Sequence, residues 1–119
     1  MKRVPKKVDC PTELALELLG GKWKTVILAR LKDGPLRYGE LRRLIPRLSD
    51  KVLTQRLADL QERDLVTRDA KTAEAARYRL TPQAQALRPL LQQLYEWGEA
   101  QARRLGVEVE TRSEESVDA

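Results

Sequence analysis

Only three residues, Pro46 to Leu48, separate two short amphipathic segments in the middle of this chain, and few folds accommodate so tight a joint. The first segment, Gly39 to Ile45, turns Leu41, Leu44 and Ile45 inward and Glu40, Arg42 and Arg43 outward before Pro46 breaks it. The second runs from Ser49 to Arg63. Ser49 is a natural N-cap, since its hydroxyl accepts from an orphan backbone N–H, and Asp50 complements the positive end of the helix dipole. At 100° per residue, Leu53, Leu57 and Leu60 fall within roughly 60° of one another and form one apolar stripe. Opposite them stand Lys51, Thr54, Gln55 and Ala58, with Glu62 closing the face. A helix with its side chains, roughly 10–12 Å across, matches the major groove of B-DNA. Lys donates to guanine O6 or N7, and Gln pairs with adenine N6 and N7. An ordinary amphipathic surface helix has the same pattern, so the surroundings must choose between the two readings.

Two helices are expected before this pair. From Cys10, Pro11 suits a first helical position, Glu13 lies in the first turn, and Leu14, Leu18 and Leu19 share a side until Gly20-Gly21. Trp23, Val26, Ile27, Arg30 and Leu31 then follow the 3.6-residue period from Lys22 to the stop at Asp33-Gly34-Pro35, with Trp23 as the expected core anchor. Leu36 to Tyr38 reads as a connector. After Arg63, Leu65–Asp69 and Ala76–Thr81 read as strands around a loop at Ala70–Ala75; Arg77 and Arg79 alternate with Tyr78 and Leu80 as in a half-buried strand. Two strands after a helix-turn-helix make a wing.

A long last helix is expected from Pro82, capped by Thr81, to Leu105 before Gly106. Its seam of Leu87, Leu91, Leu94, Trp97 or Gly98, and Gln101, widened by Leu90 and Tyr95, is more apolar than three helices and a wing cover. A second copy of the chain is the simplest partner, with Leu14, Leu18, Leu87, Leu91, Leu94 and Trp97 as the expected interface. Packing on the first helix alone is the alternative. The fold class is thus mainly α with a small β-wing, a winged helix-turn-helix dimerising through its terminal helices.

Among 119 residues, 23 Lys and Arg oppose 18 acidic residues, a net charge of +5. From Val107 onward five carboxylates, Glu108, Glu110, Glu114, Glu115 and Asp118, face Arg112 alone; removing that −4 leaves +9 on the preceding 106 residues. We read residues 1–9 as a basic arm bearing Lys2, Arg3, Lys6 and Lys7, residues 10–106 as one domain, and residues 107–119 as an acidic, disordered tail. The basic body favours a polyanion partner. There is no histidine, and Cys10 is the single cysteine, so zinc ligation and His-based triads are excluded; neither enzyme activity nor a cofactor is expected. No signal-like or membrane-spanning run occurs, which gives an expected cytoplasmic, nucleoid-associated location without membrane contact.

With Cys10-Pro11, Leu18-Leu19-Gly20-Gly21-Lys22-Trp23, Ile27-Leu28, Arg37-Tyr38-Gly39-Glu40-Leu41, Ser49 with Lys51 and Leu53-Thr54-Gln55, and Leu57 to Leu60, the chain resembles the HxlR-type winged helix-turn-helix regulators over residues 10 to 98. The resemblance implies a homodimer on a pseudo-palindromic DNA operator, with the Ser49 helix in the major groove and the strand pair reaching a minor groove. Where the family ends its wing in Val-Glu-Tyr-x-Leu-Thr, this chain has Ala76-Arg77-Tyr78-Arg79-Leu80-Thr81. Asp64 replaces the family's glycine before the first wing strand, and Asp can adopt the left-handed conformation needed there.

On this reading Lys51, Thr54 and Gln55 contact bases, while Arg37, Arg42, Arg43, Ser49, Arg77 and Arg79 contact phosphates. Cys10 is a candidate redox or electrophile sensor: at a helix cap with Lys6 and Lys7 near in sequence, its thiol pKa should fall. Members of the resembled family use a cysteine at this Cys-Pro position for such sensing, with a small electrophile or oxidant as partner. Retention of Cys10 for packing is the competing account. Against the whole reading stands a winged-helix protein-interaction module without operator binding.

Overall fold

The computed structural model describes residues 4–69, 72 and 75–109. Within them, helices α1 (Pro11–Leu19) and α2 (Lys22–Leu31) lead to a two-residue strand, β1 (Leu36–Arg37). Then come α3 (Tyr38–Leu44), α4 (Asp50–Glu62), β2 (Val66–Asp69), β3 (Arg77–Leu80), a 3-10 turn over Ala84–Leu87 and α5 (Arg88–Leu105). Three antiparallel strands in the order β1-β3-β2 form the sheet, so Leu36–Arg37 is a strand of the wing rather than the expected connector. A two-residue edge segment carries no readable alternation, and only its pairing with β3 defines it.

The core gathers Ile27, Leu28 and Leu31 of α2, Leu41 and Leu44 of α3, Leu53, Leu57 and Leu60 of α4, Val66 and Leu80 of the sheet, and Leu91 of α5. The expected inward faces of α3 and α4 are those observed. Each fully buried leucine contributes about 1.5–3 kcal/mol relative to exposure, so the three on α4 anchor it without any help from its polar face.

Trp23 is only half-buried on the edge of this core, with the Lys22 ammonium 4.5 Å from its ring centroid. The deeply placed residue of that turn is Lys24, 4% exposed, whose ammonium reaches Asp59 of α4 at 3.6 Å. A long stem lets Lys24 lie along apolar neighbours while its charge finds a carboxylate on α4. Gly20 caps α1 with φ +71°, a conformation that favours glycine, and a Cβ there would stand 2.7 Å from the Lys24 stem and push that side chain aside.

Asp64 adopts the expected left-handed conformation, φ 60°, between α4 and β2. Its carbonyl accepts from the Thr81 hydroxyl at 2.7 Å, and the same hydroxyl accepts from Ala84 N at 3.2 Å. Thr81 therefore caps as expected, but the element it opens is one 3-10 turn rather than the start of a continuous helix, and α5 begins at Arg88. Pro89 is the reason: it has no N–H for residue 85 to accept from, and its ring clashes with that carbonyl, so it belongs in a first helical turn. No helix among the described residues is long and apolar enough to cross a membrane. Residues 1–3 of the basic arm, most of the wing loop, and residues 110–119 of the acidic tail lie outside the described residues.

Candidate nucleic-acid interface

Helix α4 is presented by a joint that its own residues hold. Ser49 Oγ accepts from Val52 N at 3.2 Å, and Leu48 plugs the turn at 2% exposure. Arg42 of α3 pairs with Asp50 Oδ1 at 2.8 Å and donates to the Leu48 carbonyl, so its guanidinium braces the turn from inside. The sequence gives no reason to separate Arg42 from the phosphate-facing arginines, yet both of these bonds are structural. Arg43, next to it, is exposed.

Tyr38 completes the brace. Its hydroxyl lies 2.9 Å from Asp50 Oδ1, which accepts its proton, and 3.4 Å from Thr54 Oγ1. Burial, together with the Asp50 carboxylate, raises the phenol above its ordinary pKa, which keeps it a neutral donor. Sequence reasoning places Tyr38 in a motif without a role, because its partners are 12 and 16 residues away and no local pattern reports such contacts.

Lys51, Thr54, Gln55 and Ala58 are all exposed on the face of α4 opposite the buried leucines. Beside them the sheet places Arg37 directly opposite Arg77, as Cα partners of β1 and β3. Two like charges on facing positions weaken a sheet, and Asp69 of β2 is the Cα partner of Arg77 on its other side; the pairing with Arg37 could not be read without the third strand. Arg79 pairs with Asp69 across the wing, so its charge is partly offset within the protein. Arg68 sits 5.9 Å from the Tyr78 ring centroid on the other face of the strands and belongs to no sequence-level assignment. The tip of the wing connecting β2 and β3 is not described.

Cys10 is exposed and occupies the N-cap of α1, with Pro11 next in the chain. Its thiol is shifted below the ordinary cysteine value by hydrogen bonds from the Thr12 side chain, the Thr12 backbone and the Glu13 backbone. The direction matches the expectation, but the cause does not: the donors of the first helical turn act, and Lys6 and Lys7 have no part.

Along α5 the apolar residues divide. Leu91 is fully buried in the core of its own protomer and Leu87 packs against that core. Leu90, Leu94, Trp97 and Leu105 are 44–66% exposed, and at 100° per residue they share a stripe about 80° wide. On α1, Leu14 and Leu18 are half-buried, Leu16 is exposed, and Leu19 alone is buried. A hydrogen bond from Arg63 at the end of α4 to the Glu17 carbonyl, 3.0 Å, ties α1 to the recognition helix. Among the described residues no cluster of three or more Cys, Asp or Glu side chains could hold a metal ion.

Comparison with known proteins places these features in a family context. A family model described as HxlR-like helix-turn-helix matches residues 18–105. The chain is 39% identical over 95 residues to the HTH-type transcriptional regulator YkvN of Bacillus subtilis, spanning 78% of this chain and 80% of that one. Its backbone is similar to the redox regulator HypR in its reduced form, with a TM-score of 0.72 and 32% identity over 83% of this chain and all of that one. It is also similar to quinone-bound YodB from B. subtilis, with a TM-score of 0.62 and 35% identity over 76% of this chain and 99% of that one.

Proposed function

The chain belongs to the HxlR-like helix-turn-helix family and is a transcriptional regulator of that type, and from this premise we propose that it binds a pseudo-palindromic operator as a homodimer, acting as a repressor. The observation that carries the reading is the exposed Lys51, Thr54 and Gln55 face of α4, held outward by three buried leucines and flanked by the opposed Arg37 and Arg77. In this reading α4 enters the major groove, Gln55 and Lys51 meet base edges, and Thr54 acts with Tyr38 at its hydroxyl. Arg37 and Arg77 grip one phosphate between them, with Arg43, Arg79 and the Ser49 cap as outer phosphate contacts. The setting is the cytoplasm and its nucleoid, with the basic arm adding charge and the acidic tail offsetting it.

Gln55→Ala is expected to weaken binding to the selected operator by about 1–3 kcal/mol while leaving affinity for random DNA nearly unchanged. Arg77→Ala should weaken both and reduce the slope of log affinity against log salt by about one. Gel shifts at several salt concentrations measure both. Equal losses on operator and random DNA for Gln55→Ala would remove α4 from base reading, and a slope near zero for the unaltered protein would favour a protein-interaction module.

Cys10 supplies the signal input. Its thiolate adds to a ring carbon of a quinone, forming a C–S bond; the electron pair moves onto one quinone oxygen, which takes a proton from water, and the hydrogen on the attacked carbon then leaves as a proton to the second oxygen, giving the S-substituted hydroquinone. What supports this is the thiol's exposure and its lowered pKa on the helix that Arg63 ties to α4. Quinone treatment should change operator affinity in the native protein and leave Cys10→Ser unaffected. Identical affinity in all four combinations refutes sensing.

A further inference from the structure

The end of α2, the strand β3 and the start of α5 enclose a cleft of about 190 Å³ whose lining includes Lys32, Asp33, Pro35, Arg79, Gln85 and Arg88. A second, more open hollow shares Lys32, Asp33, Gln85 and Arg88 and extends past Pro89 and Gln92. Three cations and one carboxylate line the inner cleft. Lys32 pairs with Asp33 and Arg79 with Asp69, which leaves Arg88 as the cation of the lining without a carboxylate among the described residues.

Lys32 is 8% exposed, and its three ammonium N–H groups meet one carboxylate oxygen, Asp33 Oδ2 at 3.1 Å, and the face of Tyr95 at 4.9 Å. A buried ammonium so served retains unused donors. The guanidinium of Arg88, at the first turn of α5, has no ion pair or hydrogen bond among the described residues. Gln85 spends its amide N–H on the Leu80 carbonyl at 3.3 Å. The cleft is therefore rich in donors and poor in acceptors, while Pro35 and Pro89 give it apolar walls over a floor of buried Leu31 and Leu80.

We propose that this cleft is a binding site for a small organic carboxylate whose anionic head lies between Lys32 and Arg88 and whose apolar body rests on the exposed rings of Pro35 and Pro89. Hydrogen bonds from charged donors to a carboxylate are the strong ones, and Arg presents two parallel N–H groups to it. The site joins the wing to α5: Arg79 lines it from β3, and Arg88 lines it from the helix that carries Leu94 and Trp97. A bound anion would draw Arg79 from Asp69 toward the cleft and so report occupancy to the wing. The site is distinct from Cys10, and it shares Arg79 with the proposed phosphate contacts.

The full-length protein, with amide NMR signals followed by titration, tests this using cyclohexanecarboxylate, its uncharged amide, and inorganic phosphate. Cyclohexanecarboxylate should bind saturably with shifts centred on residues 31–35 and 85–92, at least tenfold more tightly than either of the other probes. Arg88→Gln, an exposed substitution whose fold is checked by its thermal melt, should weaken that binding at least tenfold. Equal binding of the amide overturns the role of charge, and equal binding of phosphate overturns the role of the apolar walls. Undiminished binding to Arg88→Gln, or shifts elsewhere, overturns the site itself.

Discussion

Trp97→Asp is expected to turn the proposed dimer into a monomer and to abolish the proposed operator binding at concentrations that saturate the native protein. The exposed stripe of Leu90, Leu94, Trp97 and Leu105 has no cover among the described residues, and a two-fold axis would bring it against its own copy. Truncating one large apolar side chain forfeits about 1.5–3 kcal/mol of burial. Symmetry doubles the loss, and a carboxylate facing its copy adds the cost of desolvating two like charges. Three to six kcal/mol, the order of magnitude these terms give, is roughly a hundred- to ten-thousandfold in dimer dissociation. Sedimentation velocity across a range of concentrations reads the association directly. A dimer of native affinity in Trp97→Asp would place the interface elsewhere and leave the stripe to another partner. Because Trp97 lies outside the core, the protomer's helical content should persist, which separates this outcome from unfolding.

Leu53→Ala should act in the opposite place, on the protomer itself. Leu53 is fully buried where α4 meets the core, and removing its branched end costs about 2–5 kcal/mol through lost transfer energy and the cavity left behind. Against a total of about 5–15 kcal/mol for a domain of ordinary stability, that is a large fraction. Urea unfolding followed by circular dichroism, at fixed protomer concentration because association adds to stability, should show a lower midpoint with an unchanged slope. A loss below about 1 kcal/mol would mean that α4 is not seated on Leu53 and that its presentation to DNA rests on Arg42 and Tyr38 instead.

These two residues mark the boundary of what local pattern reveals. Leu53, Leu57 and Leu60 are legible because one helix face repeats every 3.6 residues and burial follows that period. Ser49 is legible as a cap, and Asp64 as a left-handed residue, because each is a conformational preference of the residue itself. The start of the last helix is where local signals mislead: Thr81-Pro82 satisfies every one of them for a beginning, yet Pro89, with no N–H to give, rules out an unbroken helix through it. Trp23 misleads for the same kind of reason. Size and hydrophobicity nominate it for the core, whereas the depth of a position depends on which neighbour closes over it, and Asp59 draws Lys24 inward.

The candidate site divides along the same line. Lys51, Thr54 and Gln55 can be placed opposite the leucine stripe from spacing alone, and all three are exposed. Arg42 cannot be separated from Arg43 that way, since whether a guanidinium meets Asp50 and a turn carbonyl or faces outward depends on how two helices cross. Leu91 and Leu94 likewise share a seam in the sequence, but one is in the core and the other faces out.

Sequence by itself determined the helix-turn-helix, the wing, the capping residues and the polar face of α4, because hydrophobic period and backbone preference are properties of neighbours along the chain. Only tertiary structure decided that Leu36–Arg37 is a wing strand, that Arg37 faces Arg77, that Tyr38 reaches Asp50 and Thr54, and that Lys32 and Arg88 share a cleft. Each of those contacts joins residues far apart in the chain, and their energies depend on distance in space, which no local periodicity encodes.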